Sequence, residues 1–215
     1  MSLVIHKYCS VKPSRACVNG REIFSNEAPQ GLRGYLRALY KHLKVDYPKF
    51  FKMDGLSKLG FISVEFLLQD ESLLSRHAAE KIGIILSNAS SSLEIDEKHQ
   101  DTINDRNQYF PSPSNFVYTL PNIMAGEAAI RHKFKGENTV LISEKFDAEL
   151  IHNIASQAFS INALDCCICG WVEQYGDKYE ALLFLVENSE GPKSGEGIIF
   201  DPINLMKIYK QEWKN

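Results

Sequence analysis

The sequence predicts an α/β domain, layered α-β-α, around a mixed, mostly parallel five-stranded sheet. Three observations carry this expectation. Ile82–Leu86 and Asn138–Ile142 have the length and apolar continuity of strands buried on both faces. Segments with helical apolar spacing separate the strands, which calls for parallel pairing under helices. A last pair, Asp165–Val172 and Tyr179–Glu187, is joined by the short Gln174–Lys178 turn, so one antiparallel hairpin closes the sheet. A chain of 215 residues suits a single domain over 1–215, large enough to hold a core without staples.

The elements follow in order. Leu3–Tyr8 is a short β-like run, and residues 9–30, with Pro13, Gly20 and Pro29, read as loop. Leu32, Leu36, Leu39, Tyr40 and Leu43 recur at helical spacing, and that helix stops before Pro48. Leu56, Leu59, Gly60, Ser63, Phe66 and Leu67 mark a second helix. After strand 82–86, residues 87–112 are polar, with helix around 93–104, and Pro111 and Pro113 close the stretch. Thr119 and Pro121 signal a helix start, and that helix runs to about His132. Strand 138–142 is followed by a strong helix over 145–160, then by the terminal hairpin. Gly191–Gly195 is a loop, and the last dozen residues form a short element of open type.

Composition excludes several classes. Hydrophobic residues at 44% and charged residues at 24% are ordinary for a globular domain. A net charge of -3 argues against a nucleic-acid binder, which neutralises phosphates with a basic surface. No apolar run approaches the roughly 20 residues that span a bilayer, and no basic start precedes a long apolar stretch at the N-terminus. Five cysteines, an odd count, do not form a disulfide framework, and a reducing cytoplasm is the expected location.

Candidate chemistry reduces to few residues. Cys166, Cys167 and Cys169 lack the second ligand pair of a structural zinc site. On a strand Cys167 and Cys169 share one face and Cys166 takes the other, as small core residues do. Gly191, Gly195 and Gly197 lack the Gly-Lys-Ser/Thr ending of a phosphate loop. His6, His42, His77, His99, His132 and His152 are scattered, with no helical zinc spacing and no Gly-x-Ser-x-Gly elbow. Glu94, Asp96 and Glu97 read as a solvated acidic face. No cofactor and no metal is expected from these patterns.

Several segments together resemble the β-ketoacyl synthase family, of the thiolase-like superfamily. Phe110–Phe116 and Leu120–Ala129 resemble its proline-rich stretch, which leads to an Asn, a small-residue helix and then a Gly, here Gly136. Met53-Asp54 with Ser57 is similar to the family's helix start, and Lys81–Ile84 to its second strand. Cys169-Gly170-Trp171-Val172-Glu173 resembles the small-Gly-Gly-x-Glu end of its fourth strand. The resemblance covers about residues 50–190. It implies the N-terminal half of the thiolase-like fold, with sheet order 3-2-1-4-5 and strand 138–142 at an edge.

The resemblance also places the nucleophile. The family's Cys lies nine residues after that Gly, which is Lys145 here, between Glu144 and Phe146-Asp147. A lysine is cationic, opposes a helix N-terminal dipole and forms no thioester. Glu144 and Asp147 favour its charged form, against a role as nucleophile. No catalytic residue is therefore assigned. The family's catalytic histidines lie in a second α/β copy, for which 215 residues leave no room. Helix 145–160 is one-sided: Phe146, Leu150, Ile151, Ile154, Ala155, Ala158 and Phe159 against Lys145, Glu149, His152, Asn153, Ser156, Gln157 and Ser160.

The resemblance implies a non-catalytic ketosynthase-like accessory subunit in acyl-carrier-protein-dependent fatty-acid, polyketide or polyene assembly. Its expected partners are an acyl carrier protein and either a second copy or a full-length ketosynthase, met through edge strand 138–142. The alternatives are an active 3-oxoacyl-[acyl-carrier-protein] synthase-type acyltransferase that uses other residues or a partner chain, and a stand-alone binding module.

Overall fold

A computed structural model describes residues 2–26, 31–107, 109–188 and 197–213. The N-terminal part holds β1 (Leu3–Lys12), β2 (Arg15–Val18), β3 (Arg21–Ser25), α1 (Gly31–Leu43) and α2 (Gly55–Leu68). The middle holds β4 (Ile82–Asn88), α3 (Leu93–Asp101), α4 (Pro113–Tyr118), α5 (Ile123–His132) and β5 (Asn138–Ile142). The last part holds α6 (Ala148–Ser160), β6 (Cys166–Tyr175), β7 (Lys178–Asn188), β8 (Ile198–Ile199) and α7 (Pro202–Glu212).

The layered mixed α/β architecture agrees with the sequence. The sheet departs from the expectation in strand number and in order. Among the described residues it has eight strands in the order β3-β2-β1-β7-β6-β4-β5, with β8 beside β1. Only β4–β5 and β4–β6 pair in parallel; β1–β2, β2–β3, β1–β7, β1–β8 and β6–β7 are antiparallel. Most neighbouring pairs are therefore antiparallel, yet of the five expected strands β1, β4, β5 and β6 run one way and β7 alone runs against them, so that set is mixed and mostly parallel, as expected. Counted on the five expected strands, the order is 3-2-4-5-1 and not 3-2-1-4-5.

Both corrections have local causes. The expected loop over residues 9–30 contains two tight hairpins. Lys12 pairs with Arg15 across Pro13-Ser14, and Val18 pairs with Arg21 across Asn19-Gly20. Asn19 and Gly20 have φ of 50° and 73°, the left-handed pair of a type I′ turn, which Asn-Gly favours. The order follows from burial. β4 is buried throughout and β6 along most of its length, whereas β1 carries His6, Lys7 and Lys12 and is half-buried in places. The apolar β6 takes the place beside β4, and β1 moves outward to β7. Strand 138–142 is at the edge, as expected: β5 pairs with β4 alone.

Two cores flank the sheet. Leu36 and Leu39 of α1, Leu59, Ile62 and Phe66 of α2, and Met124 and Ala128 of α5 cover one face, against Ile82, Ile84, Cys166 and Ile168. Ile151, Ala155 and Phe159 of α6 and Leu205 and Ile208 of α7 cover the other, against Ile85, Cys167, Cys169, Leu182 and Phe184. The cysteines divide between the faces as the strand period requires. Asp54 caps α2 by accepting from the Ser57 amide at 3.0 Å, so the Met53-Asp54 motif does start a helix.

Two of the family-like glycines sit where backbones nearly touch. A Cβ at Gly136 would lie 2.5 Å from the Ile82 carbonyl oxygen. At Gly170, in the middle of β6 with φ of 148°, it would lie 2.1 Å from the Leu182 carbonyl oxygen on β7. Helices α2 and α5 are joined by Glu65, which accepts from Arg131 Nε at 3.2 Å and faces His132 Nε2 at 3.0 Å. Burial raises the Glu65 pKa, but His132 and then Arg131 outweigh it and hold the carboxyl below its ordinary value.

Gly170→Ala is expected to destabilise the fold by at least about 2 kcal/mol, read as a lowered urea midpoint with an unchanged slope. Glu65 has a folded pKa below its unfolded one, so its contribution is full above about pH 4.5 and fades as pH falls through the folded value. The stability of Glu65→Gln should accordingly fall less steeply than wild type below pH 4.5 in acid titrations of unfolding.

Candidate functional site

The residues that the family resemblance brings to the nucleophile position lie in the bend between β5 and α6. Ser143 continues the ladder by donating its amide to Asn88 O at 2.9 Å, and its hydroxyl donates to Lys145 O at 2.6 Å. Glu144 and Lys145 are exposed, and Phe146 is buried. Phe146 stacks on Tyr209 of α7 at 4.7 Å between centroids and lies 6.4 Å from Phe184 of β7. This anchor sets the bend on the sheet and turns its two charged neighbours outward.

The helix starts later than its periodicity suggests. It begins at Ala148, with Asp147 as N-cap accepting from the Leu150 amide at 2.9 Å. Lys145 thus precedes the helix by three residues, and the dipole is met by the Asp147 carboxylate. The one-sided character of the helix agrees with the sequence. Phe146, Ile151, Ala155, Ala158 and Phe159 are buried, while Glu149, Asn153, Gln157 and Ser160 are exposed.

Lys145, Asp147 and Glu149 form one wall of an open groove of about 1010 Å³, and Ile203, Met206, Lys207 and Lys210 of α7 form the other. Three lysines and two carboxylates give it mixed charge, and Ile203, 79% exposed, adds an apolar patch. The sequence leaves the terminal element open in type, and the structure makes it the α7 wall. Its signal was present: Asp201 caps the helix through the Asn204 amide at 2.7 Å, with Pro202 directly after it.

No thiol reaches the groove. All five cysteines are free and buried. Burial pushes the Cys166 thiol well up, aided by Glu187, and also raises Cys9 and Cys17. The hydrogen bond to Cys169, followed by burial, does the same for Cys167. Unless a nearby cation outweighs it, burial makes these thiols poor nucleophiles.

At the same ends of the parallel strands, Glu173 accepts from the Ala89 and Ser90 amides at 2.7 and 3.1 Å, fixing the chain that leaves β4. The acidic cluster is more than a solvated face. Glu94 accepts from Gly176 N at 2.9 Å and from Lys98 and Gln174, clamping α3 to the β6–β7 turn. Burial raises the Glu94 pKa, and these hydrogen bonds outweigh it and lower the value overall. Asp96 meets Ser92 at 3.0 Å and Glu97 meets Tyr175 at 3.0 Å. Gly191 and Gly195 lie outside the described residues. Among the described residues no helix is long and apolar enough to cross a membrane.

No protein-family model matches the chain, and no curated protein does. Solved structures do match. The ishigamide ketosynthase/chain length factor aligns with 92% of the chain at 18% identity and a TM-score of 0.66. A ketosynthase in complex with its chain length factor from Xenorhabdus doucetiae aligns with 87% at 14% identity, TM-score 0.55. A β-ketoacyl synthase from Burkholderia phymatum STM815 aligns with 87% at 12% identity, TM-score 0.58. The chain spans 64%, 79% and 59% of those three chains respectively. The chain has a ketosynthase-like, thiolase-like fold.

A thiol reagent added to the native protein should modify none of the five cysteines quickly and all five after denaturation, by intact mass. Asp147→Ala should cost about 1 kcal/mol of stability through the lost cap, in urea unfolding.

Proposed function

We propose that this chain is a non-catalytic ketosynthase-like subunit that assists a full-length ketosynthase and an acyl carrier protein in building a fatty-acid, polyketide or polyene chain. One observation carries the reading. The bend that the resemblance aligns with the nucleophile turn presents a solvated lysine, while every cysteine is buried in the core. An ammonium group in water accepts no acyl group, and a thiol buried in the core meets no substrate. The fold shared with ketosynthase and chain length factor structures supports the same reading.

In this reading Lys145 stands where the reactive sulfur would be, and the groove beside it is a contact surface. The β5 edge is the proposed meeting line with the ketosynthase or with a second copy. Among the described residues its backbone is paired on one side alone, and Ile142 is exposed.

Co-expression with candidate full-length ketosynthases and acyl carrier proteins tests the proposal. The expected result is a co-purifying complex that Ile142→Lys weakens without lowering the thermal midpoint. Recovery of neither partner would overturn it. A short acyl thioester should leave the chain's mass unchanged; an acyl adduct on Lys145 or on any cysteine would establish the acyltransferase alternative.

A further inference from the structure

At the other end of the sheet, where β6 begins, three donor side chains converge from distant parts of the chain, and a fourth, His6, faces one of them. Cys166 opens β6 and is paired in register with Glu187, near the end of β7. His77 enters from the segment before β4, and its Nε2 contacts Glu187 Oε1. One donor atom each from His77, Cys166 and Glu187 lies within 4.8 Å of the other two. Glu187 is 1% exposed, so its carboxylate has left water.

His6 supplies an independent observation. The β1–β7 register slips between Ile5 and Lys7, which leaves His6 as the extra residue of a β-bulge. Bulges re-aim side chains. Here the bulge places His6 Nε2 3.6 Å from Glu187 Oε2, with the side chain only 5% exposed. That nitrogen is buried and has no hydrogen-bond partner among the described residues. A buried imidazole nitrogen aimed at a carboxylate, yet bonded to nothing, is costly unless something joins them.

The donor set identifies what would join them. Two imidazoles, one thiolate and one carboxylate match zinc, and the sulfur disfavours magnesium and calcium. Bonds of about 2.0–2.3 Å to a tetrahedral ion put donors roughly 3.3–3.7 Å apart. The His6–Glu187 separation of 3.6 Å is already in that range, the His77–Glu187 contact would open to reach it, and Cys166 lies within 4.8 Å of both. Charge balances too. A thiolate and a carboxylate neutralise a dication, and Arg76, 3.4 Å from Glu187 Oε2, has its own partner in Glu71 at 3.1 Å. The groove at the β5–α6 bend lies at the opposite ends of the parallel strands, so this site is separate from it.

We propose that the chain binds one zinc-class dication through His77, Cys166 and Glu187, with His6 as fourth donor, tying β1, β6 and β7 to the segment before β4. Four protein donors leave no open position, so the role is structural.

The test uses the full chain without a histidine tag, titrated with cobalt(II) under reducing conditions. The expected result is one equivalent bound, with a thiolate-to-cobalt charge-transfer band and the visible bands of tetrahedral cobalt. Cys166→Ser should abolish the charge-transfer band. His77→Asn, which keeps a polar side chain beside Glu187, should weaken cobalt binding by more than about tenfold while circular dichroism stays native. Zinc should raise the thermal midpoint of wild type and not of Cys166→Ser. Absence of the band at saturating cobalt with all thiols reduced overturns the proposal, as does its persistence in folded Cys166→Ser.

Discussion

The antiparallel seam between β6 and β7 organises this molecule. It runs from Cys166 opposite Glu187 to Tyr175 opposite Lys178, and passes Gly170 where a side chain would strike the Leu182 carbonyl. On one side β6 continues in parallel to β4 and β5; on the other β7 continues antiparallel to β1, β2 and β3. The seam therefore joins a buried parallel sheet to a hairpin-built antiparallel one. Its residues alternate between the two cores, so any register slip would carry apolar groups to the wrong layer.

The β5–α6 bend inherits its geometry from that arrangement. Phe146 packs on Phe184 of β7 and Tyr209 of α7, and Asp147 caps the helix that covers the same face. Lys145, between the exposed Glu144 and the buried ring, is left in water. The bend holds its shape with a lysine at this position, because its shape comes from the ring and the cap. The amphipathic α6 agrees: its outer face carries Glu149, Asn153, Gln157 and Ser160, which suit water or a polar partner.

Polar burial is concentrated at the opposite end. Glu187 lies among His6, Arg76, His77 and Cys166, where continuous apolar packing would be expected. Such a group persists when its charge is met by directed partners, and it then fixes the segments that supply them. The bulge at His6 and the short helical turns before β4 both deliver side chains to this point.

Periodicity alone located most of the elements. The helices over 32–43 and 56–67, strands 82–86 and 138–142, and the closing hairpin stand close to where apolar spacing puts them, because each buries one continuous face or run. The Asn19-Gly20 turn and the Asp201-Pro202 helix start were legible as local chemistry, although the surrounding polar residues hid the strands and helix they delimit. The exposed lysine at the bend was readable by counting from Gly136. Sheet order was not, since it depends on which strands are buried on both faces. Nor was the α7 wall of the groove, or the meeting of His6, His77, Cys166 and Glu187. Those residues are far apart along the chain, and spacing carries no information about partners that only the closing of the sheet brings within a few ångströms.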